Sequence, residues 1–249
     1  VVTSPQAAVE LLADTVEPGS LVLSVGGDGL IDELQKAGFR VTRSAADDPA
    51  AVVQGFAART VRWRGVFAVH SWIAVKPRDA QAYTVYHLVG WRLRRAPSAV
   101  VIEEDIPDRK WYGREPRLLF DLRGELAERA IPRIAEAASS YPYPSVYRAW
   151  PGPNSNTFIS HILRRVPEIG VELPSNAVGR DWLGGVAAIS ETRTGLQLSL
   201  LGVLGVTAGA SDGLEANILG FNFGVDLLRP ALKLPLVGRV GLRDKSLKK

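Results

Sequence analysis

His70 and Ser155 lie far apart in the chain, yet their types suit one job, acyl transfer or hydrolysis. Ser155 stands where a helix is expected to begin. A nucleophile there gains from the positive end of the helix dipole, which stabilises developing negative charge. His70 falls in an expected strand, and a histidine facing such a nucleophile can take its proton. A third polar group would orient the imidazole, and His87, Asp105 or Asp108 could supply it. Asn154 and Asn156 flank the serine. With Trp111 and Tyr112, which sit in a loop after an acidic run, they are the candidate substrate-binding residues. Each has a plainer use. Asn154 and Ser155 could simply cap the helix. His70 could be a core histidine bonded to backbone, and His87 and His161 likewise. Trp111 and Tyr112 could plug the end of the core.

Composition narrows the chemistry further. The chain has 249 residues, 46% hydrophobic and 22% charged, as a globular protein does. It contains no cysteine, so disulfides, thiolate metal sites and a thiol nucleophile are all excluded. Three histidines without close pairing give no metal-ligand spacing, and the run Glu103, Glu104, Asp105 reads as a solvated strand end. No metal and no cofactor is expected. Residues 1–57 hold three Lys/Arg against eight Asp/Glu, and the remainder holds 27 against 18. That shift marks a boundary near residue 57. The basic part lacks the compact Lys/Arg stripe with interleaved aromatics that nucleic acid needs, so nucleic acid is not an expected partner. The apolar run 196–210 is too short and too interrupted for a transmembrane segment. The first residue is Val1 rather than Met, so the natural start is expected upstream, and a cytoplasmic location is the default.

The elements that must position these residues are legible from pattern. Residues 1–57 read as a short α/β segment: helices at 5–15 and 31–37, strands at 21–25, 39–42 and 51–54, and a glycine turn at 26–29. That turn departs from the dinucleotide fingerprint, and Asp28 would repel an anion. Beyond it, 66–75 and 82–93 are rich in β-branched and aromatic residues and read as neighbouring strands, with a third at 99–103. Apolar spacing predicts helices over 125–139 and 157–166, and Pro142, Pro144, Pro151 and Pro153 form a rigid approach to Asn154. The glycine-rich tail reads as a hairpin or loop layer packed on the sheet. Its last part, 227–249, mixes Leu, Val and Pro with Lys233, Arg239, Arg243, Lys245, Lys248 and Lys249. Peripheral membrane contact is a reading of that stretch.

Three resemblances bear on these elements. The stretches RWRGVFAVHSWIAVKP, WYGREPRLLFDLRG, YRAWPGPNSNTF and GLEANILGFNFGVDLLRPALKLPLVGR, within about 60–249, resemble the bacterial family called domain of unknown function 3750. That likeness implies a shared fold and no assigned activity. A strand histidine followed by Asn-Ser-Asn-Thr-Phe at a helix start is similar to the circularly permuted NlpC-type papain-like proteins. It would place His70 as base and Ser155 where those proteins carry a nucleophilic cysteine. A serine there is far less ionised than a thiol and needs a strong base. Residues 1–57 resemble an internal piece of a NagD-type phosphatase of the haloacid dehalogenase superfamily, without its nucleophilic aspartate motif.

The expected fold class is α+β: a papain-like (permuted NlpC-type) antiparallel sheet with packed helices at 60–249, preceded by the short α/β segment at 1–57. The expected function is a hydrolase or acyltransferase on an amide or ester, using Ser155 and His70. The alternative is a non-catalytic binding module with a degenerate papain-like cleft, at the cell envelope, for a small molecule, lipid or cell-wall substrate.

Overall fold

In a computed structural model of the chain, residues 21–24, 40–43 and 49–242 are described. The first two stretches are β1 (Leu21–Ser24) and β2 (Arg40–Arg43), paired in parallel. They coincide with two of the expected strands. The helices expected at 5–15 and 31–37 and the glycine turn at 26–29 lie outside the described residues.

A five-stranded antiparallel sheet carries most of the core. Its strands are β3 (Val52–Arg59), β4 (Val69–Lys76), β5 (Thr84–Leu88), β6 (Val100–Glu104) and β7 (Arg117–Arg123), in the order β6-β5-β4-β3-β7. The strand expected at 51–54 is thus a longer one near the sheet's middle, paired with β4 and β7. All eight residues of β4 are buried, because both faces of the sheet are covered there.

Two helices cover one face. α1 (Glu125–Ser139) matches its expected span and buries Ala127, Ala130, Ile134, Ala137 and Ala138, a single stripe at helical spacing. α2 (Ser155–Leu163) begins two residues earlier than the apolar pattern alone suggests. Asn154 sets that start. Its side-chain oxygen accepts from the backbone N–H of Asn156 and Thr157, and the Thr157 hydroxyl accepts in turn from the Asn154 N–H. This capping box satisfies orphan donors that would otherwise be buried. α2 lies on β4 and β5, α1 on β3 and β7. Between them Ile73, Ile134, Phe158 and Ile162 lose essentially all solvent contact, each worth roughly 1.5–3 kcal/mol. The opposite face is aromatic. Trp72 stacks on Phe56 with ring centres 5.7 Å apart, and Trp111 and Leu118 pack over them.

The tail is more regular than a loop layer. It forms a second antiparallel sheet of seven strands in simple meander order: β8 (Ala187–Ile189), β9 (Gly195–Leu200), β10 (Leu204–Gly209), β11 (Gly213–Ile218), β12 (Phe221–Asp226), β13 (Ala231–Leu234) and β14 (Gly238–Gly241). Its alternation runs the unusual way. Gln197, Ser199, Thr207, Glu215, Asn217, Asn222 and Lys233 are buried, while the leucines beside them are exposed. The segment 172–181 passes beneath it. Asp181 there accepts from the side-chain amides of Gln197 on β9, Asn217 on β11 and Asn222 on β12.

Among the described residues the protein is therefore two antiparallel sheets with two α-helices, beside the parallel pair β1-β2, and is mostly β. No described helix is long and apolar enough to cross a membrane.

Candidate functional site

β4 begins at the end of the five-stranded sheet that faces α2's N-terminus, and Asn156 fixes the two together. Its amide nitrogen donates to the carbonyls of Val69 and Val178, 2.9 Å each, and its oxygen accepts from the Ser71 hydroxyl at 2.7 Å. Asn154 adds a bond from its amide to the same Val178 carbonyl at 2.9 Å, and another to Ala149. Gly179 makes this closeness possible. Its φ is +97°, and a β-carbon there would lie 2.2 Å from the Asn154 amide nitrogen. The prolines expected to fix the approach do precede Asn154, with both the Trp150–Pro151 and Gly152–Pro153 peptides cis. Asn154 and Asn156 are therefore structural clamps as well as candidate binding residues.

A cleft of about 610 Å³ opens at this junction. His70, Trp111, Tyr112, Asn154, Ser155 and Asn156 all contribute to its walls, so six of the seven candidate site residues share one space. His87 does not line it but stands behind His70, its Nδ1 3.4 Å from His70 Nε2, long for a hydrogen bond. Asp105 acts on His87 through its charge, and its carboxylate pairs with Arg109.

Strand alternation decides where each ring points. Ser71 faces α2, so His70 and Trp72 face the other side of the sheet. His70 lies flat against Trp111, ring centres 3.8 Å apart and planes within 8°. Burial holds its imidazole well below the ordinary histidine range, and nearby His87 adds to that. His87 is pushed down to about 4 by burial, with Arg92 assisting and Asp105 opposing. Ser155 is itself buried, and its hydroxyl shares a hydrogen bond with Tyr147, a phenol whose pKa burial raises. Among the described residues no hydrogen bond joins Ser155 to His70. A neutral imidazole is the form a general base requires, but one held this far down accepts a proton weakly.

His161, the third histidine, lies away from the cleft. It bonds the Ala137 carbonyl at 3.0 Å and so ties α2 to α1. Among the described residues no three His, Asp or Glu side chains are grouped as a bound metal ion would need.

Most of the cleft wall consists of residues that sequence reasoning did not single out. Trp63, Phe67, Trp91, Tyr147 and Phe221 surround it, with Arg64 and Arg94 beside them. Trp63 and Trp91 are 69% and 51% exposed, which is unusual for the largest apolar side chain. Both sit in short 3-10 turns, Arg62–Val66 and Gly90–Arg94. Gly90 lets the Tyr147 ring approach, since a β-carbon there would come within 2.5 Å of it. One signal was present in the sequence. Trp-Arg occurs next to glycine in both turns, as Trp63-Arg64-Gly65 and Gly90-Trp91-Arg92.

Comparison with known proteins adds a little. The D-glycerol 3-phosphate phosphatase of Mycobacterium tuberculosis (strain ATCC 25618 / H37Rv) is 47% identical over 60 residues, which is 24% of this chain and 17% of that protein. The chain thus spans under a fifth of that relative's length. No solved structure matches significantly. The family described as "Protein of unknown function (DUF3750)" matches residues 50–182, which run from the start of the five-stranded sheet through both helices to Trp182 and hold every cleft residue named here except Phe221. Covering more than half the chain, that match makes the protein a member of the DUF3750 family.

Proposed function

We propose that this protein binds an anionic amphiphile in the aromatic cleft, as a non-catalytic module. The observation that carries the reading is the cleft wall. Trp63, Phe67, Trp91, Trp111 and Phe221 offer flat apolar surface for an acyl chain or ring system, and Arg64 and Arg94 offer charge for a carboxylate or phosphate head. The volume suits a ligand of a few tens of heavy atoms. Aromatic surface kept near water is costly unless something covers it. The polar groups with catalytic potential support the same reading, because Ser155 is engaged by Tyr147 and His70 by Trp111 and His87.

The test is titration with cis-parinaric acid, a fluorescent fatty acid, read by energy transfer from tryptophan. Saturable binding that Trp91→Ala and Arg94→Ala each weaken by about tenfold or more is the expected outcome. Absence of saturable binding, or binding indifferent to both changes, defeats the proposal.

A second reading rests on Ser155 and His70 lining one cleft, with Ser155 in the first turn of α2. In it the domain is papain-like and hydrolyses or transfers an ester or amide. It requires the imidazole to reach the hydroxyl when substrate displaces Trp111. Turnover of p-nitrophenyl acyl esters, lost in both Ser155→Ala and His70→Ala, would select this reading over simple binding.

A further inference from the structure

We infer that the outer face of the seven-stranded sheet is a docking surface for an anionic lipid bilayer. The face is made of register-matched apolar rows. Leu196 stands between Ile189 and Ala208, Leu214 between Ala208 and Val225, and Leu232 between Val225 and Val240. A second row sets Leu198 beside Ala187 and Val206, and Ala216 beside Val206 and Phe223. No polar side chain interrupts these rows within the described strands. Leu196 is 68% exposed, Leu198 and Leu214 55% each.

The orientation is not a register slip. Moving any strand by one residue would exchange its faces. The inner groups are held by specific bonds: Asp181 to strands β9, β11 and β12, and Glu215 to Lys233 at 2.8 Å and to Arg180 at 3.2 Å. Polar-in, apolar-out alternation is the pattern of sheets that face lipid. A protein partner covering this area would be expected to exchange about one hydrogen bond per 100–200 Å², and these rows offer no side chain for one.

Charge selects the lipid. Beyond Leu242 the sequence carries Arg243, Lys245, Lys248 and Lys249 against Asp244 alone, each basic residue worth about 1 kcal/mol near an anionic surface. The sheet's ends present Leu200 at the close of β9 and the turn residues Leu201, Leu227, Leu228, Leu236 and Val237, all exposed. The depth is limited. Strands of three to six residues reach at most about 20 Å at ~3.3 Å per residue, short of the ~30 Å hydrocarbon core. Among the described residues the sheet is also open, β8 and β14 being its unpaired edges. It therefore rests in one leaflet and does not span. Phe221 on β12 and Leu219 in the turn before it also line the cleft, so the docked face leads to the cleft mouth. The inference stands whether or not the cleft takes an amphiphile.

The chain's lack of cysteine makes the test clean. Leu198→Cys and, on the exposed side of α1, Glu136→Cys are each labelled with the dye NBD in the full chain. Vesicles of equal parts phosphatidylglycerol and phosphatidylcholine should shift the emission at 198 to the blue with a severalfold rise, and leave 136 unchanged. In co-sedimentation, Leu198→Glu with Val206→Glu should lower vesicle binding at least tenfold. Parinaric acid binding, if present in the parent, should persist. The neutral pair Leu198→Thr with Val206→Thr keeps strand preference and should lower vesicle binding at least threefold, which guards against misfolding of the charged pair. Equal dye response at both positions, or unchanged co-sedimentation of both variants, overturns the inference. So does a dye response at 198 that rises with protein concentration without vesicles, because a second copy then covers the face.

Discussion

Asn156→Ala should cost more stability than any other single change at the cleft. The side chain is 2% exposed and makes three short bonds, to Val69 O, Val178 O and Ser71 Oγ. A typical buried hydrogen bond contributes about 1 kcal/mol net, and a group left buried without a partner costs about 1–3 kcal/mol. Val178 O keeps the bond from Asn154, so two groups are orphaned, Val69 O and the fully buried Ser71 hydroxyl. The total is about 3–5 kcal/mol. Ser71→Ala alone removes one bond and should cost about 1–2 kcal/mol. The double variant should cost less than the sum by about 1 kcal/mol, because the Ser71–Asn156 bond is then counted once. The assay is urea unfolding of all four proteins at equal m-value. If Asn156→Ala costs under about 1 kcal/mol, or the pair is additive, α2 is not seated on β4 by this clamp.

Gly179→Ala should destabilise by about 2 kcal/mol or more and weaken cleft binding with it, since the new methyl collides with the Asn154 amide at a φ of +97°; equal urea midpoints would refute it. Glu172 is pushed up to about 8 by burial and by the neighbouring Glu215, with three glutamates sharing only Arg180 and Lys233 among the described residues. A folded pKa above the ordinary 4.5 means the native state holds its proton more tightly, so stability is full below about 4.5 and falls as pH rises through 8. Glu172→Gln should flatten that decline in a series of melting temperatures, and an unchanged slope would discount it. His70 and His87 are both held down, so their stabilising effect is present above about 6.5 and lost as pH falls. Ring NMR signals of both should stay at their neutral positions from pH 7 to about 5, while a midpoint near 6.5 at either would contradict the buried pair.

Much of the first sheet was legible because local pattern and burial agree there. α1's stripe of Ala127, Ala130, Ile134 and Ala138 fixes its span, and the β-branched stretch around Ile73 marks β4. The capping Asn154 was visible as a type, but not its second role, because the Val178 carbonyl it holds comes from a distant segment. The cleft aromatics were obscure for a related reason. Trp91 lies at the end of a run that reads as strand, where an aromatic normally fills core, and only the 3-10 turn after β5 aims it outward. The second sheet was hidden most completely. Glycines at inner positions, such as Gly195, Gly205, Gly209, Gly213 and Gly224, dilute the polar half of its alternation. The stretch Leu196-Gln197-Leu198-Ser199-Leu200 does alternate, but the ordinary rule assigns its leucines to the inside.

That reversal has an energetic consequence. Arg180, Asp181, Glu191, Glu215 and Lys233 are each at most 4% exposed, and taking such charges out of water is repaid only by good geometry and full hydrogen bonding. Glu191 Oε1, Asn217 Oδ1 and Asn222 Oδ1 have no hydrogen-bond partner among the described residues. For a sheet facing water, turning the leucines inward and the polar residues outward would remove both penalties in one step, the buried charge and the exposed hydrocarbon. The sequence instead keeps apolar side chains outward on all seven strands and buries the charges of Glu215, Asp226 and Lys233 on three of them, an arrangement that stability in water does not explain. Hydrocarbon against the outer face removes the second penalty and leaves the inner network as what fixes the register. The same logic ties the sheet to the cleft: Phe221 touches Phe67 at 6.3 Å between ring centres, and Trp150 donates to the Leu219 carbonyl at 2.9 Å. A ligand leaving the apolar face meets aromatic surface without first crossing water.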